Sequence, residues 1–379
     1  MRREFNRIFS SKICIWGMLA APVLSMAIML YMMHDGLPEK IPIAVVDLDN
    51  SSTSRSLVRQ LDAFPKTEIC SKSLSFQEAR RKMEKAEIYG IFLIPKDFSK
   101  DAVSGSQPKL SFYTNNAFLI SGSLLFQDMK TISVLASAAV GLQTAEAKGI
   151  TQTQIMPVLQ PIVVESHPLD NPWLNYSLYL NNTILPGMLQ LVIMLFTISG
   201  LGSEVKSRKG RKLLEKGGNS IWKVMLGKTF PYTVIFMLLA LLFMAMLHGF
   251  NNFPMNSGFL PMFLAYLCLI LASQGLGIIL LGVFPNYRFA LSAASLMGVL
   301  SFSMSGVSFP VLSMNSMLQS LSIIFPLRHF FLIYADQALG GISIGYSAYQ
   351  YAALLGFVLI SFFFFGHIKS FLYENEYKE

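Results

Sequence analysis

The side chains most able to do chemistry lie between Ser203 and Lys228, a stretch reading SEVKSRKGRKLLEKGGNSIWKVMLGK with eight Lys/Arg against two Glu. Between two uncharged apolar runs, so basic a segment is most simply a short loop held on the cytoplasmic side by the positive-inside rule, and it offers a surface to a cytoplasmic partner. Covalent chemistry finds less support. No phosphate loop, GxSxG elbow, HExxH pair or metal-spaced Cys/His cluster occurs, and the glycine pairs Gly217-Gly218 and Gly340-Gly341 follow no strand. Cys14, Cys70 and Cys268 are too few and too scattered for a disulfide framework or a zinc site. Asp47 and Asp49 follow a strand-like run and suggest a ligand or metal site, but a turn that caps the next helix uses the same residue types and is preferred.

What positions the basic stretch is a membrane architecture. The chain has 379 residues, 53% apolar and only 14% charged, where a soluble domain carries about a quarter charged residues. Its mean hydropathy is +0.49. The net charge of +8 is topological: 1–12 contributes +3 and 203–228 contributes +6, whereas 35–180 holds 14 basic and 15 acidic residues. No aromatic-interleaved basic patch points to nucleic acid. Residues 1–12 predict an amphipathic helix in the headgroup region, with Phe5, Ile8 and Phe9 on one face and Arg2, Arg3 and Arg7 on anionic lipid. Residues 13–34 form a first, retained span that Pro22 should kink. Thr183–Gly202, Thr229–Leu247, Phe259–Phe284, Phe289–Pro310 and Gly345–Gly366 complete six, which puts both termini in the cytoplasm. Residues 311–344 are too apolar for an ordinary loop, yet Pro326, Arg328 and His329 rule out a comfortable span. Two short helices dipping into the outer leaflet satisfy both facts. Phe362–Phe365 read as lipid-facing.

Residues 35–180 have ordinary charge density and predict an extracytoplasmic α/β domain. Ile41–Asp47 and Tyr89–Ile94 are strong strands, Glu68–Lys72 a weak one and Lys109–Thr114 a fourth. Ser51–Phe64 is helical, and Ser75 with Glu78 makes a capping box for the next helix. A long helix follows from about Ala117 to Lys148, and Pro157, Pro161, Pro168 and Pro172 interrupt the chain before the next span. The expected fold class is therefore an α-helical polytopic membrane protein of six spans plus a re-entrant hairpin, with spans two to six in 181–379 and an inserted α/β domain.

The sequence resembles the permease subunit of a type-two ABC exporter, the half-transporter class with a large extracytoplasmic domain between spans one and two. The likeness rests on AVVDLDNSSTSRSLVRQLDA (Ala44–Ala63), NNTILPGMLQLVIML (Asn181–Leu195), the Ser203–Lys228 stretch and SGVSFPVLSMNSMLQSLSIIFPLRHFFLIYADQALGG (Ser305–Gly341). One departure is Glu215-Lys216-Gly217-Gly218, where that family usually has a Thr-Pro pair. The resemblance implies a coupling surface for a separate ATPase subunit at Glu204, Lys206, Arg208, Gly210, Arg211, Leu213 and Leu214, with the Leu pair as apolar anchor. It implies an outer gate lined or supported by Phe309, Pro310, Phe325, Pro326, Arg328 and His329, although a packed, satisfied hairpin fits those residues equally. Arg328 is expected to pair with Asp336 or to hold a lipid phosphate. The implied partners are a cytoplasmic ABC ATPase subunit that binds ATP and Mg, a second permease copy or paralogue, and membrane lipids, with a periplasmic adaptor left open. This chain itself should need no cofactor and bind no nucleic acid. The implied location is a bacterial inner membrane, and the implied function is export of an amphipathic, lipid-like or drug-like substrate.

Two other classes compete. A membrane-anchored receptor or scaffold would use the external domain to bind a ligand or envelope partner, but six spans are more than an anchor needs. A secondary carrier would need ionisable relays inside the spans, which hold almost none.

Overall fold

The computed structural model describes residues 1–104, 106–159, 167, 169–171 and 174–374. The chain divides into two compact units, Asp35–Pro168 and Met1–His34 with Leu169–Glu379.

The Asp35–Pro168 unit is a four-stranded sheet in the order β2-β1-β3-β4. The strands are β1 Ile41–Asp47, β2 Thr67–Lys72, β3 Gly90–Ile94 and β4 Ser111–Thr114. β1 pairs in parallel with β2 and β3, and β4 returns antiparallel on β3. Because side chains alternate across a strand, the apolar run in β1 serves two faces. Ile43 and Val45 pack with Leu57, Leu61 and Met129 on one face, while Ala44 and Val46 meet Ala79 and Ile88 on the other. Asp47 makes the turn after β1: its Oδ1 accepts from the Asp49 and Asn50 amides, and its Oδ2 from Ser54 Oγ. Ser51 then caps the Ser52–Asp62 helix. At the next helix Ser75 Oγ accepts from Glu78 N–H, but the reciprocal bond from Glu78 goes to the Leu74 amide, one residue before the cap. The long helix spans Leu119–Ala147. Pro157 lies inside a further helix, Gln152–Leu159, two residues from its end, so it does not break that helix; Pro161, Pro168 and Pro172 lie outside the described residues.

Among the described residues of the other unit, five helices are long and apolar enough to cross a membrane: Lys12–Met32, Tyr176–Lys206, Ile221–Phe250, Phe259–Val283 and Ile344–Phe363. Ser316–Ser322 and Pro326–Leu339 form a pair bent by 85°, the shape of a broken span or of the expected re-entrant hairpin, with the break just before Pro326, which lacks an amide hydrogen to continue a helix. The expected fifth span, Phe289–Pro310, is a shorter helix, Tyr287–Met304, opened by Asn286 and ending before Gly306. It falls short of the other five in apolar character because Arg288, Ser292, Ser295, Ser301 and Ser303 interrupt it. Gly275 lets the Phe259–Val283 helix touch the backbone of Ala348–Phe363, since a Cβ there would sit 2.7 Å from the Phe357 carbonyl oxygen. The aromatic run is split: Phe363 is exposed, whereas Phe365 is buried against Trp222 with ring centroids 4.8 Å apart. The reason is a break at Phe364, which starts the separate Phe365–Glu374 helix.

Pro22 acts through a π turn. Trp16–Ala20 is π-helical, and the Ala21 amide reaches back five residues to the Trp16 carbonyl. The wider turn precedes the proline at the start of the following helical segment, so the span stays continuous.

Candidate functional site

The basic stretch is only partly a loop. Helix Tyr176–Lys206 extends through Glu204, a short helix covers Gly210–Lys216, and the next long helix starts at Ile221. The turn between the first two places Arg208 at φ 54°. Gly210 is buried, because a Cβ there would meet the Leu372 carbonyl oxygen at 2.5 Å. Leu214 is 1% exposed and belongs to the core with Val205, Val224 and Leu372. Leu213 is half-buried beside it, while Lys206, Arg208, Arg211, Lys212, Glu215 and Lys216 stand on the exposed side. Arg211 lies over the Tyr373 ring and 3.8 Å from Glu215. Of the seven residues expected to touch an ATPase, then, only Lys206, Arg208 and Arg211 are outward-facing, and the Leu pair anchors the short helix to its own protein.

Glu204 is turned inward, into a cluster of charges. Arg3 Nη2 donates to both of its carboxylate oxygens at 2.6 and 2.8 Å, and Lys228 Nζ donates at 2.7 Å. Lys228 also lies 2.8 Å from Glu4 Oε1 and donates to the Gly200 carbonyl at 3.0 Å. Arg7 closes the ring, 3.6 Å from Glu204, 3.7 Å from Glu4 and 3.4 Å from the Tyr232 hydroxyl. Side chains of Glu4, Glu204 and Lys228 are at most 4% exposed. Charges this deep persist only when each is paired; Glu4 is held by ion pairs alone, since neither of its oxygens has a hydrogen-bond partner among the described residues. Three segments distant in sequence are thereby joined: the first helix Arg2–Ser10, the end of Tyr176–Lys206 and the start of Ile221–Phe250.

This corrects the expected setting of the first helix. Its buried face is Glu4 and Ile8, with Phe5 half-buried, whereas Phe9 is exposed. Arg3 and Arg7 pair with protein carboxylates, and Arg2 stays exposed. The physical reason is that Glu4 and Arg7, one turn apart, match Lys228 and Glu204 in sign and spacing. Glu4 and Lys228 were missed in the sequence, though each left a signal. Glu4 precedes Ile8 by four residues on the apolar face, and Lys228 opens an apolar run where an ionised group demands a partner.

In the hairpin, Phe325, Pro326 and His329 are buried, while Phe309 and Pro310 are exposed. His329 Nε2 donates to the Ile323 carbonyl at 2.9 Å, and Nδ1 sits 2.7 Å from the Gln350 side chain. These contacts occupy both ring nitrogens of His329, whereas the buried Tyr334 hydroxyl and Gln337 Oε1 have no hydrogen-bond partner among the described residues. Arg328 does not pair with Asp336: eight helical residues separate them by about 12 Å, and Asp336 instead accepts from Ser347 at 3.0 Å. Among the described residues, no group of His, Cys, Asp or Glu could hold a metal ion.

Comparison with known proteins agrees with this architecture. The linearmycin resistance permease protein LnrN of Bacillus subtilis (strain 168) is 27% identical over 150 residues, which cover 40% of this chain and 37% of that protein. The family described as ABC-2 family transporter protein matches residues 12–368. That match runs from the first span through the inserted domain to the Phe365–Glu374 helix, so the chain, a multi-pass membrane protein, belongs to the ABC-2 transporter family.

Proposed function

We propose that this permease works as the membrane half of an ATP-driven exporter, paired with a second permease copy or paralogue and with two cytoplasmic ATPase subunits. The carrying observation is the Gly210–Lys216 helix, which exposes cations on one side and seats Leu214 in the core on the other. The preceding helix is clamped through Glu204 to Lys228 and Arg3. A push on Lys206, Arg208 or Arg211 therefore moves at least two long helices together, because a packed, ion-paired joint does not flex independently of them.

In this reading the basic end faces the cytoplasm of a bacterial inner membrane and Asp35–Pro168 lies outside. ATP and Mg are held by the partner subunits, whose closure drives the helices toward an outward-open pathway between two permeases. The substrate is amphipathic, drug-like or lipid-like, which suits a wall of apolar and small residues. The name of the Bacillus relative, a resistance permease, supports the drug-like class.

The test is affinity purification of the full chain from its native host in several mild detergents, with mass spectrometry and ATP hydrolysis as readouts. A stoichiometric ATPase subunit should accompany the chain and be lost in the double variant Lys206→Glu, Arg211→Glu. A folded chain that brings down no ATPase in any detergent refutes the reading. A second reading, a receptor role for the external unit, is favoured by a cavity of 690 Å³ in that unit, lined in part by Phe98, Val140, Ile155 and Leu159. Export that continues after these walls are filled by Val140→Trp would argue against it.

A further inference from the structure

Beside the ion-paired cluster lies a cavity of 740 Å³ that the clamp does not fill, a size typical of small-molecule sites. Its walls come from Arg2–Ser10 with the start of the first span, from Tyr176–Lys206, and from Tyr287–Met304. The lining is graded. At the basic end stand Arg3, Arg7, Lys209, Ser203 and Ser207, and further along the same helices come Ile13, Leu195, Phe196 and Leu291. Ser295 lies on the apolar side, but its hydroxyl is spent on the Leu291 carbonyl.

The charges do not cancel. Arg3, Arg7 and Lys209 face the cavity against the single carboxylate of Glu204. Among the described residues Lys209 has no ion-pair or side-chain hydrogen-bond partner, and Arg3 spends only Nη2 on Glu204, which leaves its other guanidinium nitrogens as donors. The cavity is also open sideways: Ile13 is 80% exposed and Ser295 is exposed, and Ile13 begins a helix long and apolar enough to cross a membrane. Ser207 already donates to the Glu204 carbonyl at 3.3 Å, so the mouth is cationic through Arg3, Arg7 and Lys209, and a cationic mouth leading into an apolar, laterally open slot complements one kind of molecule.

We propose that this cavity binds an anionic phospholipid from the leaflet that borders the basic stretch, its phosphate on Lys209 and the free face of Arg3, its acyl chain along Ile13 and Leu291. The bound lipid would brace the first helix against Tyr176–Lys206 from the side opposite Lys228. Neither an ATPase partner nor transport is needed for this, so the proposal stands or falls separately from the exporter reading.

Native mass spectrometry of the full chain in mild detergent tests it, with equimolar phosphatidylglycerol and phosphatidylcholine added. The unchanged chain should retain phosphatidylglycerol several-fold over phosphatidylcholine. Lys209→Glu should bring the ratio to near one, and so should Ser295→Trp, which fills the slot without changing charge. Lys212→Glu, on the exposed side of the short helix, should leave the ratio unchanged. Excess glycerol phosphate should not displace the lipid. Equal loss with Lys212→Glu would mean general surface attraction and overturn the proposal. A ratio unmoved by Ser295→Trp, no preference in the unchanged chain, or displacement by glycerol phosphate alone would overturn it too.

Discussion

Lys228 is the residue whose loss should be felt most. Replacing it by Met keeps the length of the side chain and removes the charge. Glu4 would then retain only Arg7 at 3.7 Å, and Glu204 would keep Arg3 but lose its 2.7 Å bond. Both carboxylates would stay at most 4% exposed with less positive charge beside them. Removing one partner of a buried ion pair costs about 3–5 kcal/mol. That shifts the folded-to-unfolded ratio by about 10²–10⁴, a large share of a stability of about 5–15 kcal/mol. The assay is reversible unfolding of the purified chain in mixed micelles as the fraction of dodecyl sulfate rises, followed by far-UV circular dichroism. The companion variant is Lys228→Met with Glu4→Gln and Glu204→Gln, in which no carboxylate is left unpaired. It should recover more than half of the loss. A cost under about 1 kcal/mol for Lys228→Met, the range of exposed pairs, would refute the reasoning, as would a triple variant less stable than the single one.

Further outcomes follow from other contacts. Gly275→Val should cost about 3 kcal/mol or more, the upper range for overpacking, because the 2.7 Å clash is with the Phe357 carbonyl oxygen; an unchanged unfolding midpoint would remove that helix contact. In intact cells a membrane-impermeant maleimide should label Cys70, which is exposed, and spare the buried Cys14 and Cys268. Burial pushes the Cys70 thiol up, so labelling should be slower than for a free thiol and accelerate with pH. Protection of Cys70 would contradict an external position. Burial also raises the Asp128 carboxyl, which accepts from Thr67 at 3.1 Å. Its folded value lies above the unfolded one, so the group contributes most stability below the ordinary carboxylate range, about 4, and loses it as pH rises through the raised value. Asp128→Asn should therefore stabilise the chain at neutral pH with the difference vanishing in acid, and a destabilised variant at neutral pH would contradict this.

Where information is local, the sequence carried it. The burial of Ile43, Ala44, Val45 and Val46 on both faces of the sheet is written in an unbroken apolar strand, and Pro326 with Arg328 marks the bent hairpin at the place where the helices turn. Span edges were less legible because Tyr176–Asn182 mixes tyrosine and asparagine with leucine, yet folds as helix once Asn181 and Asn182 bond within their own turn, to Ser177 and the Leu178 carbonyl. The charged cluster was least legible. Glu204 looks like any exposed residue of a basic loop, and only the arrival of Arg3, 201 positions away, makes it an interior group. Leu214 shows the same limit: a leucine pair in a basic stretch suits a partner's cleft or its own core equally, and packing against Leu372 decides for the core.

That separation of 201 positions has a consequence in time. At about 5–20 residues per second of synthesis, Arg3 is made roughly 10–40 s before Glu204. Lys228 comes later still. During this interval the first helix carries Glu4 with Arg7 but without Lys228, and the first span stands in the bilayer without its later neighbours. The finished fold suits such a wait, since that span buries only 22% of its apolar window against the rest of the protein and was never asked to hide from lipid. The cluster thus closes on an earlier-made segment, locked by Lys228, the last-made of its charges.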